Sequence, residues 1–252
     1  MKTIDLNCDM GESFGAWQIG NDAAIMPYIT SANIACGFHA GDASIMRQTC
    51  ELAIKHNVAI GAHPSFPDLQ GFGRRIMQLS SQEVYDICIY QIGALYSITK
   101  TLGNVLHHVK PHGALYNIAA KDPAIATAIA SATKAIDPNL ILYGLSGSFL
   151  ISEAEKIGLK TASEVFADRT YQDDGSLTPR NLSNALIKDS KEAINQVLMM
   201  VLKQKVLSVN NVEVRIKADS VCIHGDSPSA FAFVRGLTQA FDEHQISKVG
   251  YV

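Results

Sequence analysis

The chain has 252 residues, enough for one large α/β domain or two small ones, and its 47% hydrophobic content against 18% charged residues allows a sizeable core. A formal net charge of −3 argues against a nucleic-acid partner, which calls for a clustered basic face, and no run of about 18 apolar residues offers a membrane span. The amino-terminal segment lacks a signal peptide's apolar region. Cys8, Cys36, Cys50, Cys88 and Cys222 are odd in number without CxxC spacing, so a cytoplasmic protein with reduced thiols is expected rather than a disulfide framework or structural zinc site.

Strand-like and amphipathic segments then alternate along the chain. Strands are expected at residues 3–8, 31–36, 58–62, 107–111, 140–144, 160–166 and 220–224. Asp42 reads as the N-cap of a helix over 43–55. Ser80-Ser81-Gln82-Glu83 is a capping-box pattern opening a long helix to Leu102, with Gly103 as its stop. Asp122-Pro123 and Ser227-Pro228 are N-cap plus N1-proline pairs. Further helices are expected at 148–157, closed by Gly158, and from Ser190 to Gln204. Residues 206–216 alternate around Asn210-Asn211, which predicts a small β-hairpin insertion with a type I′ turn. Buried apolar strands alternating with helices imply a parallel sheet. Seven such units favour a closed barrel, in one domain over 1–252, above an open sheet.

Ionisable residues gather where the apolar runs end: Asp5 to Glu12, Asn33 to Asp42, Gly61-Ala62-His63-Pro64, Lys110-Pro111-His112-Gly113, Glu164 to Tyr171, and His224-Gly225-Asp226. A core strand has no packing use for such groups, and burying them unpartnered is costly. Barrel and doubly wound enzymes build their sites from the tips of several strands, so the pattern points to an enzyme. Asp5, Asn7 and Asp9 alternate with Ile4, Leu6 and Cys8 and share one strand face, which implies a polar lumen or a buried network. Glu12 is either a site residue or a helix cap. His39, between Gly37 and Gly41, has no packing duty that the sequence reveals. The glycine-rich loop Gly71-Phe72-Gly73-Arg74-Arg75 offers two guanidinium forks to anionic oxygens, or is a solvated surface. Lys110 and His112, two apart, suit proton transfer or oxyanion stabilisation, the imidazole lowering the lysine's pKa; a plain ion pair with Asp9 or Glu164 is the alternative. Glu164, Asp168 and Arg169 surround the sixth strand end, Asp173-Asp174-Gly175 reads as a turn, and His107 and His108 read as structural. P-loop, GxGxxG, GxSxG and HExxH motifs are absent.

Taken in order, the segments Asp5–Glu12, Ser31–Asp42, Gly61–Asp68, Val109–Asn117, Glu164–Arg169 and Cys222–Asp226 resemble the LamB/YcsF family almost from end to end. The resemblance implies an α/β fold, a (β/α)7-type TIM-like barrel related to glycoside hydrolase and deacetylase barrels. It also implies hydrolysis of the 5-oxoproline lactam to L-glutamate coupled to ATP hydrolysis, in a complex with two other subunits (B and C). The catalytic set expected is Asp9, His63, Lys110, His112, Glu164, His224 and Asp226, with Asn7, Glu12, Asn33, His39, Arg74, Asp168 and Arg169 holding substrate. Lys110, Arg74 and Arg169 would neutralise phosphate charge; His63 or His112 with Asp9 would activate water; His224 with Asp226 would protonate the leaving nitrogen. Mg2+ carried on ATP would find Asp9 or Glu12. Two alternatives stand beside this: a metal-dependent deacetylase of N-acetylated carbohydrate, with the metal on Asp9, His63 and His112, and a non-catalytic subunit that binds 5-oxoproline for its partners.

Overall fold

The structure, a computed structural model, describes residues 2–223 and 230–251. Seven parallel strands close on themselves: β1 (Lys2–Met10), β2 (Ser31–Ala35), β3 (Ala59–His63), β4 (His108–Val109), β5 (Ile141–Leu145), β6 (Lys160–Phe166) and β9 (Ser220–Ile223), with β9 pairing back onto β1. Closure pairs both edges of every strand in the ring, and helices cover the outer face. The expected barrel and its seven strands are therefore present, each within a few residues of its expected bounds. An eighth parallel strand, β10 (Ile246–Lys248), lies outside the ring and pairs with Lys2–Ile4, on the edge of β1 that β9 takes over from Asp5 onward.

Between the strands run α1 (Asp22–Ile25), α2 (Ala43–Lys55), α3 (Ser81–Thr101), α4 (Gly113–Ala119), α5 (Pro123–Ile136), α6 (Phe149–Lys156), α7 (Ser190–Lys203) and α8 (Ala230–Glu243). Local chemistry sets their starts. Asp42 accepts from the N–H groups of Ser44 and Ile45 at 2.8 and 3.0 Å. Ser80 and Glu83 form the reciprocal capping box, and Asp122 caps α5 with Pro123 at its first position. Asp189, one residue earlier than expected, caps α7. The Ser227-Pro228 pair lies outside the described residues. Two segments depart from the reading. The strand β4 is shorter than expected, since Pro111 has no N–H to give a ladder; Lys110 and His112 still donate to the Ala62 and Pro64 carbonyls at 2.9 and 2.8 Å, and α4 begins at once behind them. The hairpin of β7 (Lys205–Leu207) and β8 (Glu213–Arg215) exists, but its turn is not type I′. Asn211 alone takes positive φ (60°), its N–H bonding to the Ser208 carbonyl. This is the longer loop ending in a left-handed residue.

The lower lumen is polar, and its groups are hydrogen-bonded to one another. Asp5 Oδ1 accepts from Thr30 Oγ1 at 2.6 Å and Ser31 Oγ at 2.7 Å, and its Oδ2 accepts from Ser220 Oγ. Asn7 Nδ2 donates to Ser220 Oγ at 2.7 Å, and Asn33 Nδ2 donates to Asn7 Oδ1 at 2.8 Å. His108 is buried in this layer, stacked on Tyr143, with its Nε2 2.8 Å from Asn33 Oδ1. A side chain at Gly61 would meet that imidazole at 2.0 Å, so only glycine lets His108 cross the lumen. Ile4, Leu6, Cys8 and Met10 point the other way, into the hydrophobic layer under the helices.

Candidate active site

Period two carries β1 from the lower network to the mouth, where Asp9 is the third inward side chain. Its Oδ1 accepts from Lys110 Nζ at 2.7 Å and from Asn33 Nδ2 at 2.8 Å. Lys110, buried, also pairs with Glu164 Oε1 at 3.0 Å and lies 3.3 Å from Asn7 Oδ1 and 3.1 Å from Cys222 Sγ. An ammonium there thus has two carboxylates, as the high cost of an unpaired buried charge requires. Burial alone would lower the Lys110 pKa, but Asp9 and Glu164 outweigh it and hold the group well above its ordinary range. The expectation of a lowered lysine pKa is corrected: the neighbours that decide are the carboxylates of β1 and β6, not His112. Lys110 is a fixed cation, not a base. Tyr116, from the unexpected α4, donates to Glu164 Oε2 at 2.6 Å, and burial with the Glu164 charge pushes its phenol well up. It remains protonated.

Beside this ion cluster stand three imidazoles. His63 Nδ1 lies 2.6 Å from the Lys110 carbonyl oxygen and its Nε2 3.2 Å from Asp9 Oδ2. His112 Nε2 lies 2.9 Å from the Phe72 carbonyl, while its Nδ1 is 3.0 Å from His63 Nε2 and 3.7 Å from Glu12 Oε1. His39, fully buried, stacks on His112 with ring centroids 3.9 Å apart and places Nε2 3.3 Å from Glu12 Oε1. Burial first, and then neighbouring imidazoles, lower the pKa of both His39 and His112 well below the usual histidine value, so both are neutral at pH 7. The Gly71–Arg75 loop lids these rings. Gly73 has φ +63°, and a β-carbon on it would meet Ser65 Oγ at 2.2 Å and His39 Cβ at 2.9 Å, so glycine is what lets the loop lie on the cluster.

A pocket opens above. Asp9, Glu12, His63, Lys110 and His112 lie among its walls, with Tyr116 and Phe166, and Arg74, Arg169 and Arg180 add positive charge to it. Of the two loop arginines, Arg74 lines the pocket with its guanidinium 4.9 Å over the Phe72 ring. Arg75 instead is tied to Asp68, its Nε 2.9 Å from Oδ1. Arg169 is buried and donates to the Thr178 carbonyl at 2.6 Å and the Ala185 carbonyl at 3.3 Å, which fixes the 169–186 loop. Burial, then repulsion from Arg180, lowers its pKa to about 10. Asn7 and Asn33 lie a layer below the pocket, Asn33 bonded to both Asn7 and Asp9. Asp168 is half-buried and not among the pocket-lining residues. His224 and Asp226 lie outside the described residues. Arg180 and Tyr116 are pocket residues that the sequence reading did not single out. Tyr116 at least lies in the same segment as Lys110 and His112, whereas Arg180 arrives on a loop with no signal beyond a proline before it.

The sequence pattern of the LamB/YcsF family matches residues 4–251. The chain belongs to that family. A relative from Shouchella clausii (strain KSM-K16), named as the A subunit of 5-oxoprolinase, is 60% identical over 98% of both chains. The crystal structure of a lactam utilization protein from Thermus thermophilus covers 100% of both chains at 46% identity and a TM-score of 0.93. A solved protein of Enterococcus faecalis V583, 16% identical with a TM-score of 0.57 over 99% of this chain and 97% of its own, shares the fold alone.

Proposed function

We propose that this LamB/YcsF member is the A subunit of an ATP-dependent 5-oxoprolinase, converting 5-oxoproline to L-glutamate with ADP and phosphate as the other products. The near-full-length likeness to a protein carrying that 5-oxoprolinase name supports this reading. Within the molecule, the observation that carries it is the Lys110 ammonium, clamped between Asp9 and Glu164 at the wall of a pocket rich in arginine. A five-membered lactam is an unstrained amide, so its opening needs coupling. ATP supplies it when bound, by phosphorylating the amide oxygen and making the ring carbon electrophilic.

The residues fit the steps that follow. Lys110, held cationic by Asp9 and Glu164, stabilises negative charge as it develops on the lactam oxygen and its phosphoryl group. His63, anchored at Nδ1 by a backbone carbonyl, holds Nε2 3.2 Å from Asp9 Oδ2, and Asp9 is placed to take a proton from attacking water. Arg74 and Arg180 receive the substrate carboxylate or transferred phosphate. Mg2+ would travel with the nucleotide phosphates. Asp9 is engaged by Lys110 and Glu12 faces imidazoles, a poor match to the oxygen cage that Mg2+ takes, so no protein ligand is assigned to it.

The chain has no glycine loop of a recognised phosphate-binding type, and its relative is named as one subunit of several, so activity is assigned to an assembly with two further subunits, B and C. The deciding experiment measures glutamate release from 5-oxoproline with ATP, for the chain alone and with its partners. Turnover only in the assembly is expected. Equal turnover by the chain alone overturns the dependence on partners. No turnover in either, with deacetylation of an N-acetylated sugar instead, overturns the reaction.

A further inference from the structure

With both rings neutral, protein atoms alone do not satisfy the contact between His63 and His112. His63 Nδ1 faces the Lys110 carbonyl oxygen and His112 Nε2 faces the Phe72 carbonyl oxygen. A carbonyl only accepts, so each of these nitrogens carries its ring's proton. The opposite nitrogens, His63 Nε2 and His112 Nδ1, then present lone pairs, and they meet at 3.0 Å. Around them stand further acceptors, Asp9 Oδ2 at 3.2 Å from His63 Nε2 and Glu12 Oε1 at 3.7 Å from His112 Nδ1. His39 is fully buried and turns its Nε2 to Glu12 Oε1 at 3.3 Å. Donor atoms converging at this spacing have the geometry of a cation site.

We propose that Glu12, His39, His63 and His112 form a binding site for a divalent first-row transition metal of the Zn2+ class. One donor atom from each of the four lies within 4.8 Å of the others. A tetrahedral site with bonds near 2.05 Å has donor-to-donor edges of about 3.3 Å. Three separations already present, 3.0, 3.3 and 3.7 Å, bracket that value. Three imidazoles with one carboxylate select a borderline metal over Mg2+ or Ca2+, which take oxygen. The Lys110 and Phe72 carbonyls orient two of the rings as the outer partners of metal-bound histidines do. Asp9, the strand-end acid of the sequence-level metal reading, is engaged by Lys110 instead, and Glu12 takes its place. Because Glu12, His63 and His112 also line the pocket, a metal held here supplies Lewis acidity toward a carbonyl or phosphoryl oxygen. The site requires neither ATP nor a lactam, so it stands or falls apart from the reaction proposed above.

The test uses the full chain, stripped with a chelator and dialysed, titrated calorimetrically with ZnCl2 and separately with MgCl2, and crystallised for anomalous scattering at the zinc edge. Expected are one Zn2+ per chain, no saturable Mg2+ binding, and an anomalous peak among the four side chains. Glu12→Gln and His39→Ala should each weaken Zn2+ binding by about 100-fold or more. His39→Gln and His112→Asn serve if circular dichroism shows either of those variants unfolded. Cys222→Ser, removing the thiol nearest Lys110, should leave Zn2+ affinity unchanged. Absence of saturable Zn2+ binding by the wild-type chain overturns the site. So does undiminished binding by the folded Glu12 and His39 variants, or a peak lost with Cys222.

Discussion

The two ends of the barrel lumen use the same residue types to opposite ends. In the lower half, the Asp5 carboxylate receives three hydroxyls, and the asparagines and His108 continue a chain of matched donors and acceptors. At the mouth, charges are paired but the imidazoles are not matched, and the groups open onto a pocket. A buried polar network whose donors and acceptors are matched specifies the fold. One that leaves valence over is held for something else. Burial and residue type alone would not separate the two halves; the donor and acceptor count does.

Substitutions can break or sharpen that contrast. The largest effect is expected at Lys110. Lys110→Met should lower turnover of the assembled enzyme by about a thousandfold or more, since it removes a preorganised charge at the reacting centre. It also strands Asp9 and Glu164, so a stability loss of about 3–5 kcal/mol should appear in denaturant titrations. Turnover near the wild-type rate would take Lys110 out of the chemistry.

Asp5 offers the opposite profile. Burial, opposed by the hydroxyls of Ser220, Thr30 and Ser31, raises its pKa above the ordinary 3.8. A raised carboxyl pKa means that the folded state holds the proton more tightly than the unfolded one. Stability is therefore lost as pH rises from the unfolded value through the folded one. Relative to Asp5→Asn, which cannot ionise, the wild-type chain should lose ground as the pH rises above about 4, by about 1.4 kcal/mol for each unit of upward shift. Turnover of the assembled variant should stay within roughly threefold of wild type, as no transition-state contact is removed. Unfolding midpoints for the two proteins across that range check this. A gap that stays constant, or widens in favour of wild type, refutes it.

The smallest effect belongs to the rim. Arg180→Ala should raise KM for 5-oxoproline or ATP by about tenfold with little change in kcat, as expected for loss of a charged hydrogen bond made equally to ground and transition states. Steady-state kinetics of the complex decide it, and an unchanged KM for both substrates removes Arg180 from binding.

Much of this was legible in the residues. Alternation of Asp5, Asn7 and Asp9 with apolar neighbours foretold a polar lumen, and the caps at Asp42, Ser80 and Asp122 placed three helices within a residue of where they lie. Distance in sequence hid the rest. The charge state of Lys110 is set by carboxylates 101 and 54 positions away; the sequence offered that ion pair beside a pairing with His112, and only the fold decides between them. Arg180 reaches the pocket on a loop that Arg169, eleven positions earlier, ties down through the Thr178 and Ala185 carbonyls. The helix α4 is short and starts on glycine, so neither propensity nor a capping side chain announced it.

The closing seam between β1 and β9 joins residues more than 200 positions apart, as in the Asn7–Ser220 bond. During synthesis, the first strand must wait for nearly the whole chain before its last neighbour exists. An unclosed sheet is ordinarily a template for aggregation. Here the side chains left bare on the inner face of that waiting sheet include aspartate, asparagine, serine, histidine and lysine, which water solvates well. The polar lumen that later serves the mouth thus also protects the nascent chain, and hydrophobic replacement of Asp5 or Asn7 would remove that protection before any enzyme had formed.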